Sequence, residues 1–535
     1  MSEEQLAQAD LSGETAARLA GRAIALSGLI VVAGVVLSRL LGWLRTSVFM
    51  AQYGGRSGEL DAFFAAFRIP DALFQLVAAG AVGSALVPVA AGLIAQGESD
   101  RARRVVATVA NLMLVALIPL AVLVWLAAPL IVPVIAPSPE EQKVALTTGL
   151  TRVMLVSPVL LALAAVMGAG LNAAGVFGPP ALAPTVYNVA VIVCAIALVP
   201  SMGVYALALG IVLGSLGHVL TQSWSVRKLG LYAPTLELRD PAVKETLLLM
   251  APRALGLGAT QIVFLVNTYF AIQLGDGPNT IYTGAFTALQ IPVGLIGVPL
   301  GVVLLPPLSQ AIARGDTGHY ERLVERSLRL LLFVVIPLTA LMLALAGPSI
   351  AALYQRGAFT PADTRAMTPV FVLFLLGLVA HVLITFLAPV FYARKDTRTP
   401  VAAALAAVAV DVAAAIALFP TLELEGLAIA IGLGAWVEVV ILLAFLRRRT
   451  GLGLNHVVRT VVLATPGAGL AALAAAGVDW AFGRLAAEPP FPVLVADLGL
   501  AGLAAVAAYL AWSRLARLAE LGMSLDLART ILRRA

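Results

Sequence analysis

The sequence predicts an all-α integral membrane protein with about fourteen transmembrane helices. Of the 535 residues, 61% are hydrophobic and 12% are charged, whereas an average soluble domain contains about 25% charged residues. The mean hydropathy of +0.98 is too high for a soluble protein of this size, which must keep a polar surface. A transmembrane helix requires about 20 apolar residues, and such stretches recur along the whole chain.

Charged residues, glycines and prolines divide the apolar sequence into fourteen predicted helices. Their spans are 23–52, 61–94, 102–134, 144–171, 180–199, 203–226, 243–274, 281–313, 323–346, 363–393, 399–419, 425–446, 457–479 and 491–513. Several spans exceed 25 residues, so those helices must tilt, kink or extend beyond the bilayer. Pro70, Pro88, Pro292 and Pro306 lie inside such spans and are natural kink points.

The first six helices and the next six read as two copies of one unit. The segment that begins at Val87 (VPVAAGLIAQGE) resembles the segment that begins at Leu305 (LPPLSQAIARGD). ALALG, ending at Gly210, likewise resembles AIAIG, ending at Gly432. Chance similarity between apolar helices is the alternative, but the matches keep their order and nearly constant spacing. Because six is an even number, both copies insert the same way up, as in parallel-repeat transporters.

This repeat predicts the domain organisation. Helices 1–6 form an N-lobe over 23–226 and helices 7–12 form a C-lobe over 243–446. Helices 13 and 14 occupy 457–513, and the flanking segments 1–22 and 514–535 are expected to be cytoplasmic.

The loop charges predict the orientation in the membrane. The loops after helices 2, 6, 8, 10 and 12, with the adjoining helix ends, carry eighteen Lys and Arg residues, and the odd-numbered loops carry five. The eighteen are Arg101, Arg103, Arg104, Arg227, Lys228, Arg239, Lys244, Arg314, Arg322, Arg326, Arg329, Arg394, Lys395, Arg398, Arg447, Arg448, Arg449 and Arg459; the five are Arg56, Lys143, Arg356, Arg365 and Arg484. Cytoplasmic loops are the basic ones, so both termini are predicted to be cytoplasmic. The same surplus explains the net charge of +6, and we expect no nucleic-acid partner.

The first two helices contain charges that a bilayer tolerates poorly. Arg39 and Arg45 lie in helix 1, while Asp61, Arg68 and Asp71 share one face of helix 2. Each such charge costs about 2.5–3.5 kcal/mol at the centre of a bilayer, so it normally faces a water-filled cavity or a partner. Arginine binds phosphate in a bidentate manner and stays charged, which predicts a cavity for a phosphorylated or acidic substrate. An internal salt bridge, such as Asp61 with Arg68, is the structural alternative.

The C-lobe contains further candidate site residues. Arg253 of helix 7 either faces the cavity or extends to the cytoplasmic interface. Asp411 of helix 11 and Glu438 of helix 12 are lone acids in apolar runs. Such an acid is either protonated or binds Na⁺ or H⁺ for coupling, and Asn267 of helix 7 would supply a neutral oxygen. Nucleotide-binding motifs and histidine–carboxylate metal motifs are absent from the sequence, so we expect a transporter rather than an enzyme.

Five sequence motifs resemble one known family. They are SRLLGWLR (38–45), DAFFAAFRIPDAL (61–73), GAVGSALVP (80–88), YQRGAFTPADT (354–364) and APVFYARKDTRTPV (388–401). In this order they are similar to the MurJ (MviN) family of lipid II flippases, within the multidrug/oligosaccharidyl-lipid/polysaccharide (MOP) exporter superfamily. The resemblance implies two six-helix lobes around a cationic cavity, with helices 13 and 14 forming a groove for the lipid tail.

The resemblance also implies a function. Members of this family move the undecaprenyl-pyrophosphate-linked peptidoglycan precursor from the cytoplasmic to the outer leaflet of the inner membrane by alternating access. The membrane potential or an ion gradient drives transport, so Na⁺ or H⁺ is the expected coupling ion and no other cofactor is implied. The implied partners are this substrate, membrane lipids and proteins of cell-wall synthesis. The family's helix 1 arginines fall on Arg39 and Arg45, and its helix 2 acid falls on Asp61.

The chain departs from the family pattern at several cavity positions. The family's acid after the second helix 1 arginine is Thr46 here, and its arginine pair in helix 2 is Phe74 and Gln75. The acid before a glycine is replaced by Ala79, and the helix 8 arginine by Thr287. Two interpretations follow: a lipid II flippase whose cations are rearranged through Arg68 and Arg253, or an exporter of another polyprenyl-linked saccharide or an amphipathic drug. A non-transporting membrane scaffold is the third alternative, but a scaffold has no reason to retain buried charges.

The predicted orientation can be tested by cysteine labelling. We expect a membrane-impermeant thiol reagent added outside intact cells to label Ser138→Cys and to miss Lys395→Cys, in a background where Cys194 is replaced by Ala. Both sites should react after permeabilisation, which controls for buried cysteines. Labelling of Lys395→Cys alone in intact cells would reverse the orientation and the direction of transport.

Overall fold

Helices are the main regular structure of the part of the chain that its structure, a computed structural model, describes. That part comprises residues 33–77, 81–451, 453–483 and 490–524, and it contains no β-strand. The helices α1 to α18 run, in order, over 33–53, Gly58–Val77, Ala81–Ala95, Ser99–Ile135, Glu141–Met154, Val156–Ala173, Gly178–Met202, Tyr205–Lys228, Pro241–Gln273, Pro278–Pro292, Val298–Ala313, Thr317–Ala344, Ala346–Tyr354, Pro361–Leu376, Leu378–Ala393, Arg398–Thr450, Asn455–Gly483 and Phe491–Leu515. The predicted all-α class is confirmed.

Several of the longer predicted spans consist of two helices. Helices α14 and α15 form one bent pair, with an angle of 44° between them. Helices α10 and α11 are joined by a π-helical turn, Val293–Gly297, which directly follows Pro292. A proline removes one backbone hydrogen bond and clashes with the preceding turn, so this irregularity lies where the sequence predicts a kink. Pro70, Pro88 and Pro306 lie inside α2, α3 and α11.

The π-helical turn also permits a close approach between helices. A Cβ atom added to Gly301 would lie 2.7 Å from the backbone carbonyl oxygen of Thr385 in α15. Only glycine fits at this distance, because real Cβ atoms essentially never come within 3.0 Å of another heavy atom.

Helix α16 covers two predicted spans. Its 53 residues would extend about 80 Å as one straight helix, far beyond the thickness of a bilayer. Glu423 interrupts it with non-helical angles, φ 47° and ψ −123°. A Cβ atom on Gly426 would lie 3.0 Å from the Leu418 backbone, and one on Gly434 would lie 2.9 Å from the Ala407 carbonyl oxygen. The chain therefore reverses near Glu423 and forms a hairpin, which corresponds to the predicted helices 399–419 and 425–446.

The described residues include nine helices that are long and apolar enough to cross a membrane, or ten when the bent pair counts as one span. The multi-pass architecture is therefore confirmed, whereas the number fourteen stays a prediction. The beginning of predicted helix 1, the cytoplasmic segment 1–22, Ala79 and the end of the C-terminal tail fall outside the described residues.

One compact unit contains residues 33–45, 69–127 and 151–255. A core of this unit packs α3, α4, α6 and the beginning of α9 through apolar side chains such as Val106, Val166 and Val243. At one end Arg101 donates two hydrogen bonds, of 2.8 and 2.9 Å, to the Asp240 carboxylate. These hydrogen bonds hold the pKa of the Asp240 carboxyl below its usual value.

The second compact unit contains residues 46–68, 128–150 and those from 256 onward. Tyrosine hydroxyls tie its helices together: Tyr320 donates to the Val390 carbonyl, Tyr354 to the Gly284 carbonyl and Tyr509 to the Phe333 carbonyl, at 2.8 to 2.9 Å. Each bond satisfies a buried hydroxyl that would be costly without a partner. The predicted lobes over 23–226 and 243–446 stay a prediction.

Candidate functional site

Asp61 lies at the beginning of α2 and is completely buried. Its carboxylate accepts hydrogen bonds of 2.7 Å from the backbone N–H of Gly277, the backbone N–H of Thr280 and the Thr280 hydroxyl. The Asn279 amide also donates to the Asp61 carbonyl oxygen. These donors form the N-terminus of α10, where free N–H groups and the helix dipole stabilise a negative charge. The carboxylate therefore caps a helix that lies more than 200 residues away in the sequence.

Lys143, which sequence reasoning did not select, completes this cluster. Its ammonium lies 3.8 Å from the Asp61 carboxylate and 2.5 Å from that of Asp276. Only 9% of the Lys143 side chain is exposed, so its pair with Asp61 is shielded from solvent, whereas the Asp276 side chain is 52% exposed. Its one sequence signal is that it is the only lysine in an odd-numbered loop.

Arg68 contacts helices of the C-terminal half of the chain. Its guanidinium donates hydrogen bonds to the hydroxyls of Thr268 in α9, at 3.2 Å, and Thr283 in α10, at 3.3 Å. It also lies over the Phe264 ring, 5.0 Å from the centroid, within the range of a cation–π interaction. Asp71, half-buried, follows one turn later in α2.

The two helix 1 arginines lie in different surroundings. Arg45 is half-buried, with its guanidinium 5.8 Å from the centre of the Tyr187 ring in α7. Arg39 is exposed and lines a cavity of about 330 Å³, together with Ser38, Asn172 and Phe177. Both guanidiniums keep donor groups beyond these contacts, since arginine carries five N–H bonds.

The predicted coupling acid, Asp411, lines a cavity of about 240 Å³ in the second unit. Thr260, His381 and Glu438 also line it. Asp411 is 4% exposed, and its Oδ1 atom accepts no hydrogen bond within the described structure. A buried carboxylate oxygen without a donor is costly, so this site suits a proton or a cation. His381 was not selected from the sequence, where it is one of four scattered histidines.

Asn267 is fully buried, but it does not line this cavity. Its amide donates a 2.8 Å hydrogen bond to the Tyr282 hydroxyl, while its Oδ1 atom has no partner among the described residues. No group of three His, Cys, Asp or Glu side chains is clustered for metal binding in the described part of the chain. A bound cation would therefore need neutral oxygens beside Asp411.

Arg253 belongs to α9, and its side chain lies outside the described part of the structure. Its predicted role stays a prediction, as do the binding roles of the other selected residues.

Comparison with known proteins identifies relatives along most of the chain. Residues 50–489 match the family described as lipid II flippase MurJ. A probable lipid II flippase MurJ from Rhizobium meliloti (strain 1021) is 33% identical over 475 residues, which cover 86% of this chain and 88% of that protein. The lipid II flippase MurJ of Burkholderia cenocepacia is 31% identical over 79% of this chain and 83% of its own length.

Solved structures show the same fold. A lipid II flippase MurJ in an inward closed conformation superimposes with a TM-score of 0.75 at 21% identity, covering 91% of this chain and 98% of that one. An inward-facing multidrug resistance MATE family transporter of the MOP superfamily gives a TM-score of 0.66 at 16% identity, covering 79% and 98%. The structural similarity identifies the MOP fold, and the sequence match is specific to one branch of it: the chain belongs to the MurJ family of lipid II flippases.

Proposed function

We propose that this protein is a lipid II flippase that moves its undecaprenyl-pyrophosphate-linked substrate across the inner membrane by alternating access. The observation that carries the proposal is the family match over residues 50–489, which includes the motifs with Arg68 and Asp61. Charged residues retained in membrane helices favour transport over a scaffold, because each one costs free energy on insertion. The protein acts as a transporter rather than as an enzyme.

Helix 1 supplies the cations for the pyrophosphate in this proposal. Arg39 and Arg45 are six residues apart, so they point about 120° apart around a straight helix. They do not grip one phosphate together from a straight helix, which fits their separate surroundings. One arginine would meet the headgroup at the cavity beside Ser38, and the other would meet it near Tyr187.

Growth of cells depleted of their own lipid II flippase tests this function. We expect the wild-type chain to restore growth and Arg39→Ala and Arg45→Ala each to fail at normal expression. A charge-assisted hydrogen bond contributes about 1.5–3 kcal/mol, so losing one weakens binding roughly ten- to a hundredfold. Arg→Lys should restore growth only partly, because an ammonium lacks the bidentate fork.

The matched control is Arg152→Ala, which removes an arginine that contacts Trp125 elsewhere in the same unit. All variants must reach the membrane at equal levels. Failure of the wild-type chain to restore growth would favour a different lipid-linked substrate. Normal growth of both helix 1 variants would contradict the binding role of the arginines.

We propose that Arg68 replaces the arginine that the family has in predicted helix 8, which corresponds to α10 and α11. That family position is Thr287 here, and the Thr287 hydroxyl donates to the Thr283 carbonyl one turn earlier in α10. The Arg68 guanidinium is hydrogen-bonded to the Thr283 hydroxyl. The positive charge of Arg68 in α2 therefore lies one helical turn from Thr287 in α10, the position at which the family has an arginine. This rearrangement supports lipid II over an uncharged drug as the substrate.

A second-site substitution separates this role from a structural one. We expect Arg68→Gln to impair growth in the depletion assay, and Thr287→Arg in the same chain to restore much of it, since the charge returns to the same region. Thr287→Gln is the control of similar shape without charge. Rescue by both substitutions, or by neither, would indicate that Arg68 only packs α2 against α9 and α10.

Alternating access also requires contacts that form in one state and break in another. The capping of α10 by Asp61 suits this role, because its donors are backbone N–H groups and a hydroxyl that water can satisfy after opening. Lys143 and Asp276 are polar enough to separate in the same way. We propose that this cluster closes one end of the transport path.

For energy coupling we propose Na⁺ or H⁺ at Asp411, whose Oδ1 atom lacks a hydrogen-bond donor in the described structure. Glu438 and His381 line the same cavity and can share a proton or add a ligand. Asn267 would contribute its free Oδ1 atom only after a rearrangement, because it does not line this cavity in the described state.

The coupling proposal predicts a specific loss. Asp411→Asn keeps the size of the side chain and removes its charge, so transport in proteoliposomes should lose its dependence on an imposed ion or proton gradient while the protein stays folded. Glu438→Gln in the same cavity should have the smaller effect. Gradient-dependent transport at the wild-type rate by Asp411→Asn would exclude this acid from coupling.

The inner-membrane location with cytoplasmic termini follows from the loop charges and from the substrate, which is made in the cytoplasm. Membrane lipids and proteins of cell-wall synthesis remain proposed partners. An exporter of another polyprenyl-linked saccharide is the second candidate, and it rests on the substituted positions Phe74 and Thr287.

A further inference from the structure

The connection between α8 and α9 runs along α4 as an irregular strap, residues 229–240. Its residues form neither a helix nor a strand. The Asn111 amide of α4 donates hydrogen bonds to two strap carbonyl oxygens, that of Ala233 at 3.0 Å and that of Thr235 at 2.7 Å. Backbone groups that lack a partner within the strap are thus satisfied by a side chain of α4.

The second half of the strap is bound to the same helix. The Glu237 N–H donates to the Thr108 hydroxyl at 3.1 Å, and the Arg101 guanidinium donates to the Asp240 carboxylate at 2.8 and 2.9 Å. Arg104 pairs with Glu237 at 3.2 Å. The partners on α4 recur at spacings of three and four residues, which places them on one face of the helix. The strap therefore has a fixed inner side, and its outer side is fixed with it.

The side chains of the strap alternate between these two sides. Positions 231, 233, 235 and 237 are buried or half-buried, and the positions between them are exposed. A period of two is that of an extended chain. Leu231 anchors the inner side in an apolar cluster that includes Leu171 and Val226. The outer side consists of Tyr232, Pro234, Leu236 and Leu238.

The outer side is apolar, whereas a loop that faces water normally turns its polar side chains outward. Tyr232 is 53% exposed, Leu236 48% and Leu238 45%, while the polar Thr235 and Glu237 lie on the inner side. Single exposed apolar residues are ordinary, but a contiguous set marks an interaction surface. The outer side of the strap therefore calls for an apolar contact.

The chain places this surface at the edge of the bilayer. The strap directly follows the basic end of α8, Arg227 and Lys228, and leads into α9. Trp224, one turn before that end, is 78% exposed, and tryptophan is enriched at membrane interfaces. Arg239, beside Leu238, is also exposed. Apolar side chains flanked by three cations complement a leaflet that contains anionic lipids.

We propose that the outer side of the 229–240 strap docks on anionic lipids of the leaflet that it borders. Its apolar residues enter the boundary between headgroups and acyl chains, about 5–10 Å deep, and the three flanking cations contact lipid phosphates. The loop charges predict that this leaflet is the cytoplasmic one. The strap is thereby held between α4 on one side and the lipid surface on the other, a role separate from substrate binding and energy coupling.

Fluorescence quenching by lipids in nanodiscs tests the proposal. The environment-sensitive fluorophore NBD is attached to Leu236→Cys in the full chain, which also carries Cys194→Ala. The nanodiscs contain phosphatidylcholine and phosphatidylglycerol, and the quencher is a phosphatidylcholine with a doxyl spin label on its acyl chain near the headgroup. We expect a blue-shifted emission that loses most of its intensity to the quencher. Gln96→Cys, in the exposed polar loop between α3 and α4, is the control and should keep its intensity.

The contribution of the cations is measured in the same assay. Arg227→Gln, Lys228→Gln and Arg239→Gln, combined in the Leu236→Cys chain, should lower the quenching in anionic nanodiscs to the level found in nanodiscs of phosphatidylcholine alone. Lys395→Gln, which removes an exposed cation from the loop between α15 and α16, should leave the quenching unchanged. Monodisperse elution of each labelled variant checks that it is folded.

Several outcomes would overturn the proposal. Water-like, unquenched emission from Leu236→Cys would show that the outer side faces solvent or is left for a partner protein. Equal quenching of Leu236→Cys and Gln96→Cys would show that the strap is no closer to lipid than an ordinary loop. Quenching that is the same with and without phosphatidylglycerol would contradict the contacts with anionic headgroups. None of these measurements uses the substrate, so they are independent of growth in the depletion assay.

Discussion

The cost of placing charge inside a membrane protein is the constraint on which the rest of this structure depends. A buried carboxylate needs donors or counter-charges, and Asp61 obtains both from distant parts of the chain. The N-terminus of α10 supplies backbone N–H groups, and Lys143 supplies an ammonium group 3.8 Å away. Because these partners are arranged around a single side chain, they join α2, α5 and α10 at this point in the described state.

The same constraint underlies the substrate site that we propose. A pyrophosphate cannot enter a low-dielectric interior without cations, and arginine is the residue that stays charged there. Arg39 and Arg45 have N–H groups beyond those that contact their described neighbours. Arg68, in contrast, is held by Thr268, Thr283 and the Phe264 ring, so its charge is positioned even before a substrate arrives. In our proposal, this positioned charge takes the place of the arginine that the family carries at position 287.

Breaks in the helices are a second feature that the membrane environment restricts. The π-helical turn after Pro292, the bend between α14 and α15 and the reversal at Glu423 all interrupt regular hydrogen bonding. Such breaks are tolerated in a membrane only where neighbouring helices or polar groups satisfy the freed backbone. The close approach at Gly301 shows that α15 packs directly against the segment that follows the π-helical turn.

The sequence by itself determined the class of protein, the family and most helix positions. These depend on local properties: long apolar stretches, helix-breaking residues and contiguous motifs such as the one around Asp61 and Arg68. It also identified the charged residues whose presence in a membrane requires an explanation.

Only the tertiary structure decided which groups meet. The partners of Asp61 lie at sequence separations of 216 and 219 residues, and no periodicity encodes such a pairing. Lys143 was missed because its local sequence is that of an ordinary loop lysine, and its burial follows from the packing of α5. Asp411 and Asn267 were selected together as polar residues in apolar helices, yet only Asp411 lines the cavity with Glu438 and His381. A side chain's chemistry is local, whereas its burial and its partners depend on how helices pack, and therefore only the folded chain determines them.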